Sequence, residues 1–148
     1  MDAVNGELIS FSLDEPWDVN KVPEAKVSQE EAGRIASDFI KSLQPARFGQ
    51  TALRDVQPDV GPWVKMGSPV AGSYSIQYAR LINGVVYPEN GFRVRVNSTT
   101  GQVTYYEMTW WNTAFPAAGN VIGVEAANQK YLSNHSLRLE YGRGYQRW

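Results

Sequence analysis

The chain has no cysteine and only one histidine, His135. Without cysteine there is no disulfide, no thiolate metal ligand and no cysteine nucleophile. With one histidine, neither a metal site of several histidines nor a histidine-based triad is expected within the chain. We therefore expect His135 to be a polar residue in a turn.

Long apolar runs and an excess of either charge are also missing. No segment approaches the roughly 20 apolar residues that cross a bilayer, and a formal net charge of −1 leaves no basic excess for phosphates. The Gly-x-Ser-x-Gly elbow and glycine-rich phosphate loops are absent too. These absences predict a protein that is not an enzyme and has no cofactor, metal, membrane span or nucleic-acid partner.

What is present is an ordinary globular composition, with 148 residues of which 43% are hydrophobic and 20% charged. Such a chain forms one domain of usual size or two small ones. Its first residues contain no charged-then-apolar leader, so we expect any targeting sequence to lie elsewhere in a longer polypeptide.

Alternating apolar and polar residues fill the segment from Tyr74 to Trp111, which is the pattern of strands with one buried face. Asn83-Gly84 interrupts it with the pair that best tolerates the positive φ angles of a tight hairpin turn. Further reversals are predicted at Pro88–Gly91 and at Thr100-Gly101. The segment is thus predicted to be an antiparallel meander whose last strand runs from Val103 to Trp111.

A helix is predicted to begin after Ser28, because Ser28 and Glu31 have the spacing of a capping box. Pro45 is expected to end it. Its apolar residues form a single stripe wide enough to lie on a sheet: Ala32, Ile35, Ala36, Phe39, Ile40 and Leu43.

The remaining segments are less regular. Arg47 to Ser73 is predicted to be a long loop with an edge strand at Ala52–Val56, whereas Gly123–Leu132 is helical and Leu137–Tyr141 alternates like a strand. The predicted fold class is α+β, an antiparallel β-meander with an α-helix packed on one face.

The two ends of the chain resemble each other. Gly6 to Phe11 corresponds to Gly101 to Tyr106, and Val27–Ala32 corresponds to Val121–Ala126, at an offset of 94 to 95 residues. We therefore divide the chain into three parts: residues 1–23 as the last strand and linker of a preceding repeat, residues 24–119 as a complete repeat, and residues 120–148 as the first helix and strand of a following one.

Several segments resemble the YcdB/YcdC repeat family, which belongs with PepSY-like domains: Ser28–Ala32, Arg80–Val85, Phe92–Val96 and Thr100–Tyr106, up to Trp110. The resemblance covers about residues 24 to 148. It implies a helix on an antiparallel sheet, in exported or wall-associated proteins of Gram-positive bacteria that often carry S-layer homology modules. PepSY-type domains are commonly proposed to restrain peptidases, and the resemblance transfers no catalytic residue.

Aromatic residues are abundant, with five Trp, eight Tyr and five Phe. The face of the sheet that the helix leaves uncovered would be a polar and aromatic surface suited to binding. Alternatively, neighbouring repeats or loops cover it. The candidate ligand or partner surface consists of Arg93, Arg95, Tyr106, Met108, Trp110 and Trp111.

Three functions remain open at this point. The first is a non-catalytic cell-envelope module for protein interaction or assembly, including modulation of a peptidase. The second is a module that binds cell-wall polysaccharide through Trp110, Trp111 and Arg95. The third is a hydrolase centred on Glu107, for which the simpler interpretation is an ion pair with Arg93 or Arg95 across the sheet.

The expected partners are accordingly another protein, a neighbouring repeat or a cell-wall polysaccharide. The resemblance implies an extracellular location, associated with the cell wall or the S-layer. The strand at Leu8–Phe11 could join the sheet of the complete repeat, or it could pair with Leu137–Tyr141. If these ends paired between molecules, a domain-swapped oligomer would form.

Overall fold

The computed structural model describes residues 6–14, 23–65, 68–112, 114–115, 119 and 122–135. The chain divides into two compact units, Met1–Phe115 and Pro116–Trp148. The first unit contains, in chain order, β1 (Ser10–Ser12), α1 (Gln29–Leu43), α2 (Pro45–Phe48), β2 (Thr51–Lys65), β3 (Ser68–Ile82), β4 (Val85–Asn97) and β5 (Val103–Thr109).

The fold is the predicted α+β arrangement. The five strands form one sheet in the order β1-β5-β4-β3-β2, and every neighbouring pair is antiparallel. Helix α1 packs on one face of this sheet, and the core lies between them. The core contains Ala32, Ala36, Ile40, Tyr74, Ile76, Phe92, Val94, Val96, Tyr106 and Met108.

The start of α1 confirms the predicted cap, because the Ser28 hydroxyl accepts a hydrogen bond of 3.1 Å from the backbone N–H of Glu31. The Glu31 carboxylate pairs with Arg34 on the outer surface of the helix. The stripe faces the sheet as predicted, since Ala32, Ala36 and Ile40 have no exposed surface. The helix ends at Leu43, just before Pro45 starts the single turn of α2.

The edge strand predicted at Ala52–Val56 is confirmed as part of β2, but the long loop predicted for the rest of the segment from Arg47 to Ser73 is wrong. Most of this segment belongs to β2 and β3, two 15-residue strands that pair from Thr51 opposite Arg80 to Lys65 opposite Ser68. The prolines made it look irregular, but β2 is an edge strand, where a missing N–H leaves no partner unsatisfied inside the sheet. Three register shifts interrupt the pairing.

The predicted reversal at Pro88–Gly91 is also wrong, because β4 runs through it as one strand. Ala79 lies opposite Gly91 and the next residue, Arg80, lies opposite Tyr87, so Pro88, Glu89 and Asn90 form a bulge. Gly91 has a φ of +151°, and a Cβ there would lie 1.9 Å from the carbonyl oxygen of Tyr78. Only glycine therefore fits this close approach of β4 to β3.

The bulge places the Asn90 side chain against the segment that follows β5. Asn90 Oδ1 accepts from the backbone N–H of Trp111 at 3.0 Å, and Asn90 Nδ2 donates to the Trp111 carbonyl at 3.2 Å. The last strand ends at Thr109, two residues before the predicted end. The Asn90 side-chain amide thus continues the hydrogen bonding between the two segments beyond Thr109, where the backbone pairing of β4 and β5 ends.

The other two reversals are confirmed. Asn83 and Gly84 have φ angles of 53° and 78°, the signs that a tight hairpin turn of this kind requires. Gly101 has a φ of 72°, and its N–H donates to the carbonyl of Asn97 at 2.9 Å. These turns depend on their own residues and could therefore be predicted from the local sequence.

The second unit contains helix α3, Val124–Asn134, in agreement with the predicted segment apart from its last two residues. His135 follows the helix, and its ring stacks on that of Tyr131 with 4.4 Å between centroids. The strand predicted at Leu137–Tyr141 lies outside the described residues. Of the helices in the described part of the chain, none is sufficiently long and apolar to span a membrane.

Candidate interaction surface

The sheet face opposite α1, here called the open face, is polar. Alternation along β4 and β5 puts Arg93 and Arg95 on this face, with Glu107 opposite Arg93 and Tyr105 opposite Arg95. Their neighbours on β3 and β2 share this character. The open face includes Asp55, Gln57, Asp59, Ser73, Ser75, Gln77, Arg93, Arg95, Tyr105 and Glu107. Among these, Ser73 is buried.

Arg93 and Arg95 on the open face are each paired with a carboxylate of another strand. Arg93 Nη1 lies 3.5 Å from Glu107 Oε2, which confirms one of the two ion pairs predicted for Glu107. The Tyr105 hydroxyl donates to the same carboxylate oxygen at 3.0 Å. Arg95 Nε lies 3.8 Å from Asp59 Oδ2, and the Arg95 guanidinium lies 5.7 Å from the Tyr105 ring centroid.

Partial burial raises the pKa of the Tyr105 phenol, and the hydrogen bond to the negatively charged Glu107 raises it further. Both effects favour the neutral phenol, which donates to Glu107. The open face can offer guanidinium groups, a phenol and carboxylates to a binding partner, and its side chains already support each other's orientation.

Two predicted surface residues are wrong. Tyr106 and Met108 project toward α1 and are buried, with exposed fractions of 0% and 5%. The Phe39 ring of α1 contacts Tyr106 at 5.6 Å between centroids, and Arg47 of α2 reaches the Met108 sulfur at 3.5 Å. Burial also raises the pKa of Tyr106 to about 12, and no hydrogen-bond partner meets its hydroxyl within the described part of the chain.

The two tryptophans after β5 differ in their surroundings. Trp110 packs against the core on the α1 side, with its ring 6.0 Å from that of Phe92 and 4.6 Å from the Arg80 guanidinium. Trp111 is 59% exposed. Trp110 and Arg95 therefore lie on opposite faces of the sheet, and the predicted glycan-binding set of Trp110, Trp111 and Arg95 does not form one site.

Two depressions border this arrangement. A polar one of about 70 Å³ lies on the open face beside the bulge, where Arg54, Gln77 and Glu89 surround the Arg93–Glu107 pair. A larger and more apolar groove of about 450 Å³ lies between α1 and β2. Among the described residues, no three metal-binding side chains come together in either place or elsewhere.

The family described as "YcdB, YcdC repeated domain" matches residues 1–110, about three quarters of the chain. The chain belongs to this family. A search of curated proteins and a search of solved structures gave no match.

The matched part of this YcdB/YcdC repeat contains α1, α2 and all five strands of the sheet, including β1. Helix α3 lies beyond it. The assignment of residues 1–23, 24–119 and 120–148 to three successive repeats stays a prediction.

Sequence reasoning missed Asp59 and Asn90. Asp59 was hidden because its strand had been predicted as a loop. Asn90 was hidden because Asn-Gly is the usual signal of a turn. The only local hint of a bulge was that Arg93 and Arg95 follow the turn signal without a break in the alternation.

Proposed function

We propose that this repeat is a non-catalytic module of a cell-envelope protein, and that its open face binds a protein partner. The observation that carries the proposal is the grouping of Arg93, Arg95 and Tyr105 on the open face. Both arginines are ion-paired, and Arg95 also lies against the Tyr105 ring. Arginine and tyrosine are enriched at protein interfaces, because each combines a large contact area with directional hydrogen bonds.

The same contacts argue against the hydrolase alternative. Glu107 is bound by Arg93 and by the Tyr105 hydroxyl, so its carboxylate contributes to cohesion between β4 and β5. His135 is the exposed residue that ends α3, and its ring stacks on that of Tyr131. Its contacts are therefore those of a helix end. The extracellular, wall-associated location belongs to this proposal and follows from the family resemblance.

Site-specific crosslinking tests the partner surface. A photoreactive side chain at position 95, introduced into the protein in its producing cells, is expected to yield one adduct of defined mass. Position 34 is the matched control, since Arg34 is also an exposed, ion-paired arginine but lies on α1. Equal crosslinking from both positions, or none from position 95, would contradict the proposal.

A narrower form of the proposal is that the partner is a peptidase which the repeat restrains, as PepSY-like domains are thought to do. The test measures casein hydrolysis by a secreted peptidase fraction with increasing amounts of the repeat. We expect inhibition that weakens when Arg93 and Arg95 are both replaced by alanine. Unchanged hydrolysis at saturating repeat would eliminate the peptidase while leaving other protein partners open.

Glycan binding is the second candidate, and one observation favours it. Trp111 is 59% exposed while its backbone is held by both polar atoms of Asn90, so the ring is presented from a fixed base. Titration with cell-wall polysaccharide should then change the tryptophan fluorescence, and Trp111→Ala should remove the change. A signal that persists in Trp111→Ala, or no signal at all, would argue against this candidate.

A further inference from the structure

Strands β1 and β5 are similar in sequence, and the glycines before them share a backbone conformation. Each follows a glycine with a left-handed backbone, and Gly6 and Gly101 have φ angles of 69° and 72°. The aligned positions then place Phe11 where the other copy has Tyr106. Both copies thus have the same glycine turn followed by an aromatic residue on the same side of the strand.

The structure pairs these two equivalent strands with each other, antiparallel, and Phe11 lies opposite Tyr106. An antiparallel pair of equivalent strands has a local two-fold axis, here through the Phe11–Tyr106 pair. The axis relates two flanking hydrogen bonds, both of 2.8 Å: Leu13 N–H to the Thr104 carbonyl, and Met108 N–H to the Ile9 carbonyl.

Helix α1 contacts both members of this pair. The Phe39 ring of α1 contacts both aromatic rings edge-on, at 6.0 Å from Phe11 and 5.6 Å from Tyr106 between centroids. Phe11 and Tyr106 themselves stack at 6.2 Å. An aromatic residue at the centre of the incoming strand therefore fills a place that α1 and β5 form together.

From this pairing we infer that the outer edge of β5 is a binding site for an equivalent strand, and that it pairs with the β5-equivalent strand of another repeat. In this chain β1 occupies that edge. The sheets of two repeats joined in this way are continuous, and the two repeats are related by a two-fold axis between their last strands. This inference goes beyond the proposed function, since it concerns the sheet edge and does not depend on the open face.

The occupant is specified by sequence. It must place a large aromatic side chain opposite Tyr106, apolar residues on the same face, and small or polar residues on the open face. Residues 8–13 of this chain meet these requirements with Phe11 between Ser10 and Ser12. Residues 103–108 place Tyr106 between Tyr105 and Glu107, with Met108 and the small Thr104 on the same face as Tyr106. A second β5 thus has the central aromatic residue that the edge accepts.

The first experiment frees the edge in the full-length chain. Phe11→Asp removes the contacts with Phe39 and Tyr106 and places a charge against the core, so β1 leaves β5. We expect the sedimenting mass to double with rising concentration, whereas the unaltered chain keeps its mass. A folded Phe11→Asp variant that remains a monomer at all concentrations would overturn the inference.

The register of the new contact is tested with cysteine, which the natural chain lacks. In a β5–β5 pair with the observed register, Tyr105 of one copy lies opposite Glu107 of the other, within disulfide reach. Mixing Tyr105→Cys and Glu107→Cys chains, each with Phe11→Asp, should give disulfide-linked heterodimers, while each variant alone gives none. Linkage that is equally efficient within a single variant would contradict the two-fold arrangement.

A second measurement covers the case in which Phe11→Asp does not fold. Here the chain carries Phe11→Ala, which weakens the hold of β1 on β5 without placing a charge in the core, together with Tyr105→Cys. The probe is a synthetic peptide of residues 101–109 with cysteine in place of Glu107. We expect a disulfide between peptide and chain that forms faster than with a peptide of reversed sequence. Equal rates for the two peptides would overturn the inference.

Discussion

Replacing Gly91 by alanine tests the bulge that shapes this sheet. A Cβ at position 91 would lie 1.9 Å from the Tyr78 carbonyl oxygen and 3.0 Å from the Ala79 Cα. Both are backbone atoms of β3, so no side-chain rotation relieves the clash, and β3 and β4 must separate locally. The φ of +151° adds backbone strain for any residue with a side chain.

The expected loss combines overpacking with this strain, and amounts to about 4 kcal/mol of unfolding free energy. That is a large part of the roughly 5–15 kcal/mol by which such domains are stable. Gly33→Ala is the matched control. Gly33 lies inside α1 and a Cβ there meets nothing within 4 Å, so the same substitution should stabilise by about 1 kcal/mol through helix propensity.

Urea unfolding followed by far-UV circular dichroism measures both variants against the unaltered chain. The two substitutions add the same methyl group, so their opposite signs depend only on where the methyl lies. If Gly91→Ala lost less than about 1 kcal/mol, the close approach of β4 to β3 would not control stability, and the reasoning from this contact would fail.

Three further predictions concern single side chains. Burial raises the pKa of Tyr106 to about 12, above the ordinary value of about 10, so folding favours the neutral phenol. The contribution of this group to the free energy of unfolding should be fully present below pH 10 and should be lost between pH 10 and 12. In Tyr106→Phe, the free energy measured by alkaline unfolding should fall less steeply over this range. Ser28→Ala removes the hydrogen bond to Glu31 N–H and should lower the unfolding free energy by about 1 kcal/mol, whereas an unchanged urea midpoint would refute the cap. Asn90→Ala leaves the N–H and carbonyl of Trp111 without their amide partners and should cost about 2 kcal/mol and speed hydrogen exchange at the Trp111 amide; unchanged exchange would show that the segment is held otherwise.

The helix and the tight turns were predictable because their determinants are local. The Ser28 cap, the apolar stripe from Ala32 to Leu43 and the stop at Pro45 all lie within two dozen residues. The Asn83-Gly84 turn needs only the conformational freedom of its own two residues. The polar side of β4 was predictable for the same reason, since alternation alone places Arg93 and Arg95 together.

Only parts of β2 and β3 were predictable in this way, namely Ala52–Val56 and the portion of β3 from Tyr74 onward. The stretch between them was not, because proline and glycine in a segment weaken every local strand signal. Their pairing is favoured by position in the sheet: β3 is held between β2 and β4, and β2 can contain prolines because its far side is an edge. The burial of Tyr106 and Met108 was likewise undecided in the sequence. Both faces of β5 carry aromatic residues, and only the docking of α1 selects which is covered.

The dipeptide Asn-Gly shows most clearly which features the sequence determines and which the tertiary structure decides. Amino-acid sequence by itself determined the helix, its stripe, two of the turns and membership of a repeated family, because these follow from neighbouring residues. It did not distinguish Asn83-Gly84, which reverses the chain, from Asn90-Gly91, which continues a strand. That difference lies in what stands opposite: the Tyr78 carbonyl and the Trp111 backbone are brought to Asn90-Gly91 only by the assembled sheet, and contacts between distant segments leave no signature in either one alone.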